Sequence, residues 1–95
     1  MHAVVRTYSG KGAKELFDIL EQRKADVEKV IRGVPGFRSY SLIRTADGGV
    51  SVTVCADKAG ADNSVQVAAG WVRENASSAK ANRPAVSEGP VILQF

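Results

Sequence analysis

The chain has 95 residues, thirteen basic against ten acidic side chains, a formal net charge of +3 at pH 7 and a single cysteine. That length makes one domain, residues 1–95, with no room for a second; the charges are scattered, without the dense basic patch of a nucleic-acid surface, and one cysteine excludes an intrachain disulfide. Met1–Arg6 has neither the basic region nor the long apolar run of a signal peptide, and no apolar stretch reaches the length of a membrane span, so a cytoplasmic protein with no membrane partner is expected.

His2 to Tyr8 is rich in β-branched and aromatic residues and predicts a strand, which Ser9-Gly10-Lys11-Gly12 ends. From Ala13 the period changes. Ala13, Leu16, Leu20, Val27 and Ile31 share one face at helical spacing, flanked by Phe17, Ile19 and Val30, and predict one helix that stops at Gly33 before Pro35-Gly36. The apolar stripe is interrupted between Leu20 and Val27, where Arg23 and Lys24 are its nearest members. Buried stems with heads in water account for them; a cationic lining for an acidic ligand is the alternative.

Phe37 to Thr45 and Val50 to Ala56 read as strands joined by Asp47-Gly48, a tight-turn signal. Gly60 to about Ser78 predicts a second helix with a thin stripe of Ala61, Val65, Ala68, Val72, Ala76 and Ala79. Asn82 to Pro90 holds two prolines and reads as a loop, and Val91 to Phe95 as a last short strand. The order is βαββαβ, an α+β two-layer sandwich of the ferredoxin-like type with an antiparallel sheet.

Strand alternation divides the sheet into two faces. Ile43, Val50, Val52 and Val54 form an apolar set that is expected under the helices, with Ile43 opposite Val52. The other face would carry Arg38, Tyr40, Leu42, Arg44, Thr53 and Cys55, joined by Val4 and, because burying Arg6 is costly, by Arg6 and Tyr8. A mixed face of this kind, left uncovered, predicts a homodimer in which two such faces pack together.

Few residues offer chemistry. Trp71 lies about 100° around the second helix from its stripe, with Val67, Ser64 and Asn75 on the same flank. A large ring beside a thin stripe can wall a cavity between helix and sheet, which makes Trp71, Val67, Ser64, Asn75 and Phe17 of the first helix the candidate cavity; packing at the core margin is the alternative. His2 has no carboxylate or cysteine at ligand spacing, and nothing near Cys55 in sequence activates its thiol. With no CxxC, no HxxxH, no phosphate-cradling glycine loop and no nucleophile elbow, no metal, cofactor or hydrolytic triad is expected.

Val34-Pro35-Gly36-Phe37, then Tyr40, then Arg44-Thr45-Ala46-Asp47-Gly48-Gly49 resemble the antibiotic-biosynthesis-monooxygenase-like family of the dimeric α/β barrel superfamily. The resemblance implies a ferredoxin-like protomer, a homodimer whose sheets face each other as a barrel, and a small-molecule cavity in each protomer. Some members of that family oxidise polycyclic aromatics with O₂ and no cofactor; others degrade haem, using a helix-borne histidine, a first-strand asparagine and a tryptophan. The second helix here has no histidine and His2–Tyr8 no asparagine, while Trp71 is a loose counterpart of the tryptophan. Two functions follow as expectations: cofactor-free O₂-dependent oxidation of an aromatic substrate, or a non-catalytic ligand-binding or structural dimer module.

Overall fold

The structure, a computed structural model, describes residues 1–95. In chain order it has β1 (His2–Ser9), α1 (Ala13–Gln22), α2 (Lys24–Arg32), β2 (Phe37–Thr45), β3 (Gly48–Cys55), α3 (Lys58–Asn75) and β4 (Ala85–Pro90), with a 3-10 turn at Ser77–Ala79 between α3 and β4. The strands form one antiparallel sheet in the order β2-β3-β1-β4, and the helices cover one of its faces, as a ferredoxin-like α+β sandwich does. No helix is long and apolar enough to cross a membrane.

The interrupted stripe of the first helix is a break in the helix itself. Arg23 leaves helical geometry at φ −111° and ψ 32°, its N–H closing α1 on the Ile19 carbonyl at 2.9 Å. Its own carbonyl then opens α2 by accepting from Val27 N–H at 3.1 Å, and its guanidinium holds Asp26 of the new first turn at 2.8 and 3.0 Å. Splitting the helix lets α1 lie over β3 while α2 turns towards α3. The third helix starts at Lys58 because the Asp57 carboxylate accepts from Gly60 N–H at 2.9 Å, an N-cap.

The hairpin closes two residues away from the expected register. Thr45 pairs with Gly48, so Ala46-Asp47 forms the turn and Ile43 lies opposite Val50. Both glycines belong to the strand because α1 sits directly on them. A Cβ on Gly48 would meet the Tyr8 carbonyl and Ala13, and one on Gly49 would overlap the Phe17 ring. A shift of two preserves side-chain parity, so the two groups of residues read from alternation stay together.

Their faces, however, are exchanged. Val4, Arg6 and Tyr8 lie opposite Thr53, Ser51 and Gly49, with Tyr40 and Leu42 beside them on β2, and this is the helix-covered side. The apolar set points the other way: Val50 and Val52 are half-buried, and Ile43 is 48 % exposed on the open side with Val5. Of the residues expected on the open face, Tyr40, Leu42, Thr53 and Cys55 lie under the helices. Arg44 pairs with Asp18 and Glu21 of α1 at 3.0 Å each, and Arg38 sits at a β-bulge facing the α2 cleft. The expectation failed because the helices bring their own bulk. Leu16, Phe17, Leu20, Val27 and Ile31 fill the core, so the sheet residues beneath can be polar where they are hydrogen-bonded.

The chain end also differs. β4 occupies Ala85–Pro90, the stretch expected to be a loop, since Pro84 precedes it and Pro90 ends it on a sheet edge, where a missing N–H costs little. Beyond it, Val91 N–H bonds the Met1 carbonyl at 3.0 Å, and Ile92 and Leu93 stand 94 % and 72 % exposed.

Candidate functional site

Between sheet and helices lies a narrow cavity whose polar centre is Arg6. The β1–β3 register sets Arg6 beside Ser51, and the side chain is 3 % exposed. Nε donates to Ser51 Oγ at 2.9 Å and Nη1 donates to the Ser64 carbonyl of α3 at 3.4 Å. No carboxylate pairs with it; the acids of the chain that form ion pairs do so with Arg23, Arg32, Arg44, Lys58 and His2.

Tyr8 and Tyr40 flank the guanidinium on the same face. Tyr8 meets Phe17 edge-on, with ring centroids 5.7 Å apart and planes at 66°. Burial pushes both phenols above their ordinary value of 10.0, and the Arg6 charge opposes the shift in each. Both therefore remain neutral phenols well into alkaline solution.

Across the cavity, Trp71 projects from α3. Arg23 covers the ring, its guanidinium carbon 5.3 Å from the centroid. Asn75 ties the assembly together: its Nδ2 donates to the Trp71 carbonyl at 3.0 Å and its Oδ1 accepts from Arg23 Nη1 at 3.1 Å. The helix break at Arg23 thus has a second consequence, since the residue that ends α1 also positions Trp71. Arg23 is neither a plain snorkelling residue nor part of the cavity wall.

Arg6, Tyr8, Tyr40, Ser51 and Trp71 line the cavity with aliphatic groups from α1, α2 and α3, enclosing ≈ 20 Å³. That is room for about one water. Val27, Ile31, Tyr40 and Leu42 also border a wider cleft of ≈ 510 Å³ between α2 and β2, into which Lys24 and Arg38 face. On the far side, Arg6, Tyr8 and Val72 border a third opening, ≈ 250 Å³, between α3 and residues 80–84.

Of the residues expected at a cavity, the structure places Trp71 on its wall. Ser64 contributes its carbonyl to Arg6 while its hydroxyl bonds the Ala61 carbonyl at 2.6 Å, and Asn75 clamps the Trp71 backbone. Phe17 lies in the core against Tyr8, and Val67 packs on the Val4–Cys55 cluster, both away from the wall. Arg6 and Tyr8 were missed as site residues. Their signal was present: an arginine alternating with Val4 and Tyr8 on one face of the first strand.

The remaining candidates sit elsewhere. His2 Nε2 lies 3.0 Å from Glu88 Oε1, which Lys58 also contacts at 3.0 Å, at the edge of the sheet. Cys55 is buried, and burial pushes its thiol up, away from reactivity. No three His, Cys, Asp or Glu side chains cluster as a metal site. The donor set does not fit a histidine-ligated haem either, since the cavity holds no imidazole or thiolate and burial keeps its phenols protonated.

No family model matches the chain, and no curated protein matches it by sequence. Solved structures do share its fold. The NE2512 protein of unknown function from Nitrosomonas europaea superposes with a TM-score of 0.70 at 17% identity, over 99% of this chain and 90% of that one. The ActVA-Orf6 monooxygenase of Streptomyces coelicolor, in complex with nanaomycin D, gives 0.61 at 22% identity, over 99% and 91%. A variant of MhuD, the haem degrader of Mycobacterium tuberculosis, with two manganese protoporphyrin IX molecules per active site, gives 0.68 at 18% identity, over 99% and 96%. At these identities the likeness is one of fold: the chain shares the ferredoxin-like α+β fold of these proteins.

Proposed function

We propose that the chain is a homodimeric small-molecule-binding protein of the monooxygenase-like α/β barrel type, and that an electron-rich aromatic substrate taken up beside Trp71 is oxidised there by O₂ without a cofactor. The observation that carries this reading is the make-up of the cavity wall: one indole, two phenols, one guanidinium and one serine hydroxyl in an otherwise aliphatic lining. Rings of that kind hold a flat aromatic molecule by stacking and edge contacts, while the aliphatic groups keep water out. Among structures of the same fold, one is a monooxygenase with a bound ligand.

The chemistry asks little of the protein beyond binding. An electron-rich ring that loses a proton can pass an electron to O₂ directly. A ring methylene then becomes a carbonyl: one oxygen atom enters the product and the other leaves with the two hydrogens as water, so no external reductant is consumed. Trp71 and the two tyrosines would orient the ring, and the largely apolar lining would limit solvent access to the anionic intermediate. Because ≈ 20 Å³ does not hold a ring, entry requires the wall at Val27, Ile31, Tyr40 and Leu42 to open into the α2–β2 cleft.

A second copy of the chain is the natural cover for the open sheet face. Val5, Val50, Val52 and Ile43 form an apolar surface there, and Ile92 and Leu93 extend with nothing against them. A two-fold axis would bring the same patch together from both protomers, the face opposite to the one alternation alone suggested.

A non-catalytic binding module is the second reading, favoured by one observation: no carboxylate or imidazole lines the cavity to take the substrate's proton. Trp71 is the only tryptophan, so its fluorescence reports this site alone. Titration with a panel of quinols, flavins and haem, followed by oxygen uptake with whatever binds, separates the outcomes. Quenching with uptake supports the oxidation; quenching without uptake leaves the binding module; silence across the panel removes both.

A further inference from the structure

We infer that the molecule this site takes up is an anion, an aromatic acid whose carboxylate pairs with Arg6. The inference rests on the reading that the cavity beside Trp71 accepts a small aromatic molecule, and it adds the charge that molecule must carry.

Arginine side chains do not lose their proton in proteins, so a guanidinium carried into the core stays a cation there. Burial of a cation is ordinarily offset by a carboxylate and a full set of hydrogen bonds. Arg6 has neither. It is 3 % exposed, it makes no ion pair, and its protein acceptors, Ser51 Oγ, the Ser64 carbonyl and the Tyr40 hydroxyl, are all uncharged and leave part of its five N–H groups without a partner. The Tyr40 hydroxyl carries no negative charge, since burial holds that phenol above its ordinary value.

Both cavities that meet at Arg6 repeat the imbalance. No acidic side chain lines the inner one, and none lines the ≈ 250 Å³ opening on the α3 side, whose rim carries Arg73, Lys80 and Arg83. None of those three cations is engaged in an ion pair. The chain is not short of acids: Asp18 and Glu21 share Arg44, and Asp62 and Glu88 share Lys58. They are placed on outer surfaces and kept from the one buried cation. A planar carboxylate fits the free edge of a guanidinium through paired N–H donors, and the aromatic body of the same molecule would then meet Trp71, Tyr8 and Tyr40.

The test compares two probes of nearly equal shape, 1-hydroxy-2-naphthoate and 1-hydroxy-2-naphthamide, by quenching of Trp71 in the full chain. The wild type is expected to bind the acid at least about tenfold more tightly than the amide, as a charge-assisted pair replaces a neutral contact. Arg6→Met is expected to erase that preference by weakening the acid far more than the amide, because the methionine keeps apolar bulk and removes the cation. Its thermal midpoint should equal or exceed that of the wild type, since a buried uncompensated charge has been removed. Equal binding of acid and amide by the wild type, which needs no variant, overturns the inference while the aromatic cavity stands. A marked drop in the thermal midpoint of ligand-free Arg6→Met overturns it too, by making Arg6 a structural group. If neither probe binds, the aromatic cavity falls and the inference with it.

Discussion

Arg6 and the two tyrosines beside it concentrate the unusual energetics of this protein on three side chains. A buried guanidinium whose protein acceptors are all uncharged is expected to lower the stability of the ligand-free fold relative to an apolar residue there, and proteins tolerate such costs where a site needs them. The phenols give an independent handle on the same spot. Tyr8 and Tyr40 are the only tyrosines, so a spectrophotometric alkaline titration sees this site and nothing else. Burial raises both folded values above 10.0, so the folded protein should ionise later than the unfolded chain. The linkage has a definite sign: the phenols' contribution to stability is complete below the unfolded value, 10.0, and is lost as pH rises from there through the folded values. A titration midpoint at the ordinary value in the native state would place the rings in solvent and open the cavity.

At the scale of elements, small local features decide where helices start and how closely they approach the sheet. Asp57 caps α3, the helix that carries Trp71, through a 2.9 Å bond to Gly60 N–H. Asp57→Ala should cost about 1 kcal/mol in chemical denaturation, with Asp57→Asn close to the wild type, because a side-chain oxygen rather than a charge makes the cap. Gly49 is the point where α1 touches β3. Gly49→Ala would press a methyl into the Phe17 ring and should cost about 1–3 kcal/mol as the core repacks. A Gly49→Ala protein as stable as the wild type would show that α1 can move off the sheet freely. These elements were unevenly legible in the chain. Apolar spacing located both helical regions and the hairpin, but the break at Arg23 and the turn at Ala46-Asp47 follow from contacts with α3 and α1 that no local window contains. β4 was misread because its prolines signal a loop, whereas an edge strand has one row of N–H groups that need no partner.

For the molecule as a whole, the open sheet face sets the expected assembly. Light scattering behind size exclusion should give twice the chain mass of 10.1 kDa. Val52→Asp places a charge on each copy of that face, where the two would meet and repel across a two-fold axis. The expected product is a folded monomer with unchanged far-ultraviolet dichroism and a lower thermal midpoint, since the apolar face is then left in water. A wild-type protein that runs at 10.1 kDa at all concentrations would remove the homodimer. On the proposed reading, assembly and ligand binding use opposite faces of one sheet, so Val52→Asp should quench with the same probes as the wild type unless the second copy also shapes the cavity.

The sequence by itself determined the element order, the βαββαβ sandwich and the partition of sheet residues into two sets, because periodicity and alternation are local and survive a two-residue slip in register. It also carried Trp71, marked by its bulk against a thin stripe of alanine and valine. Only the tertiary structure decided which set the helices cover. Hydrophobicity says that Ile43, Val50 and Val52 need to leave water, but a second copy of the chain can meet that need as well as a helix can. The choice fell to packing. Large side chains from α1 and α2 complete the core, and this frees the sheet beneath the helices to hold Arg6, Ser51, Tyr8 and Tyr40, residues that a search for apolar faces assigns to the outside.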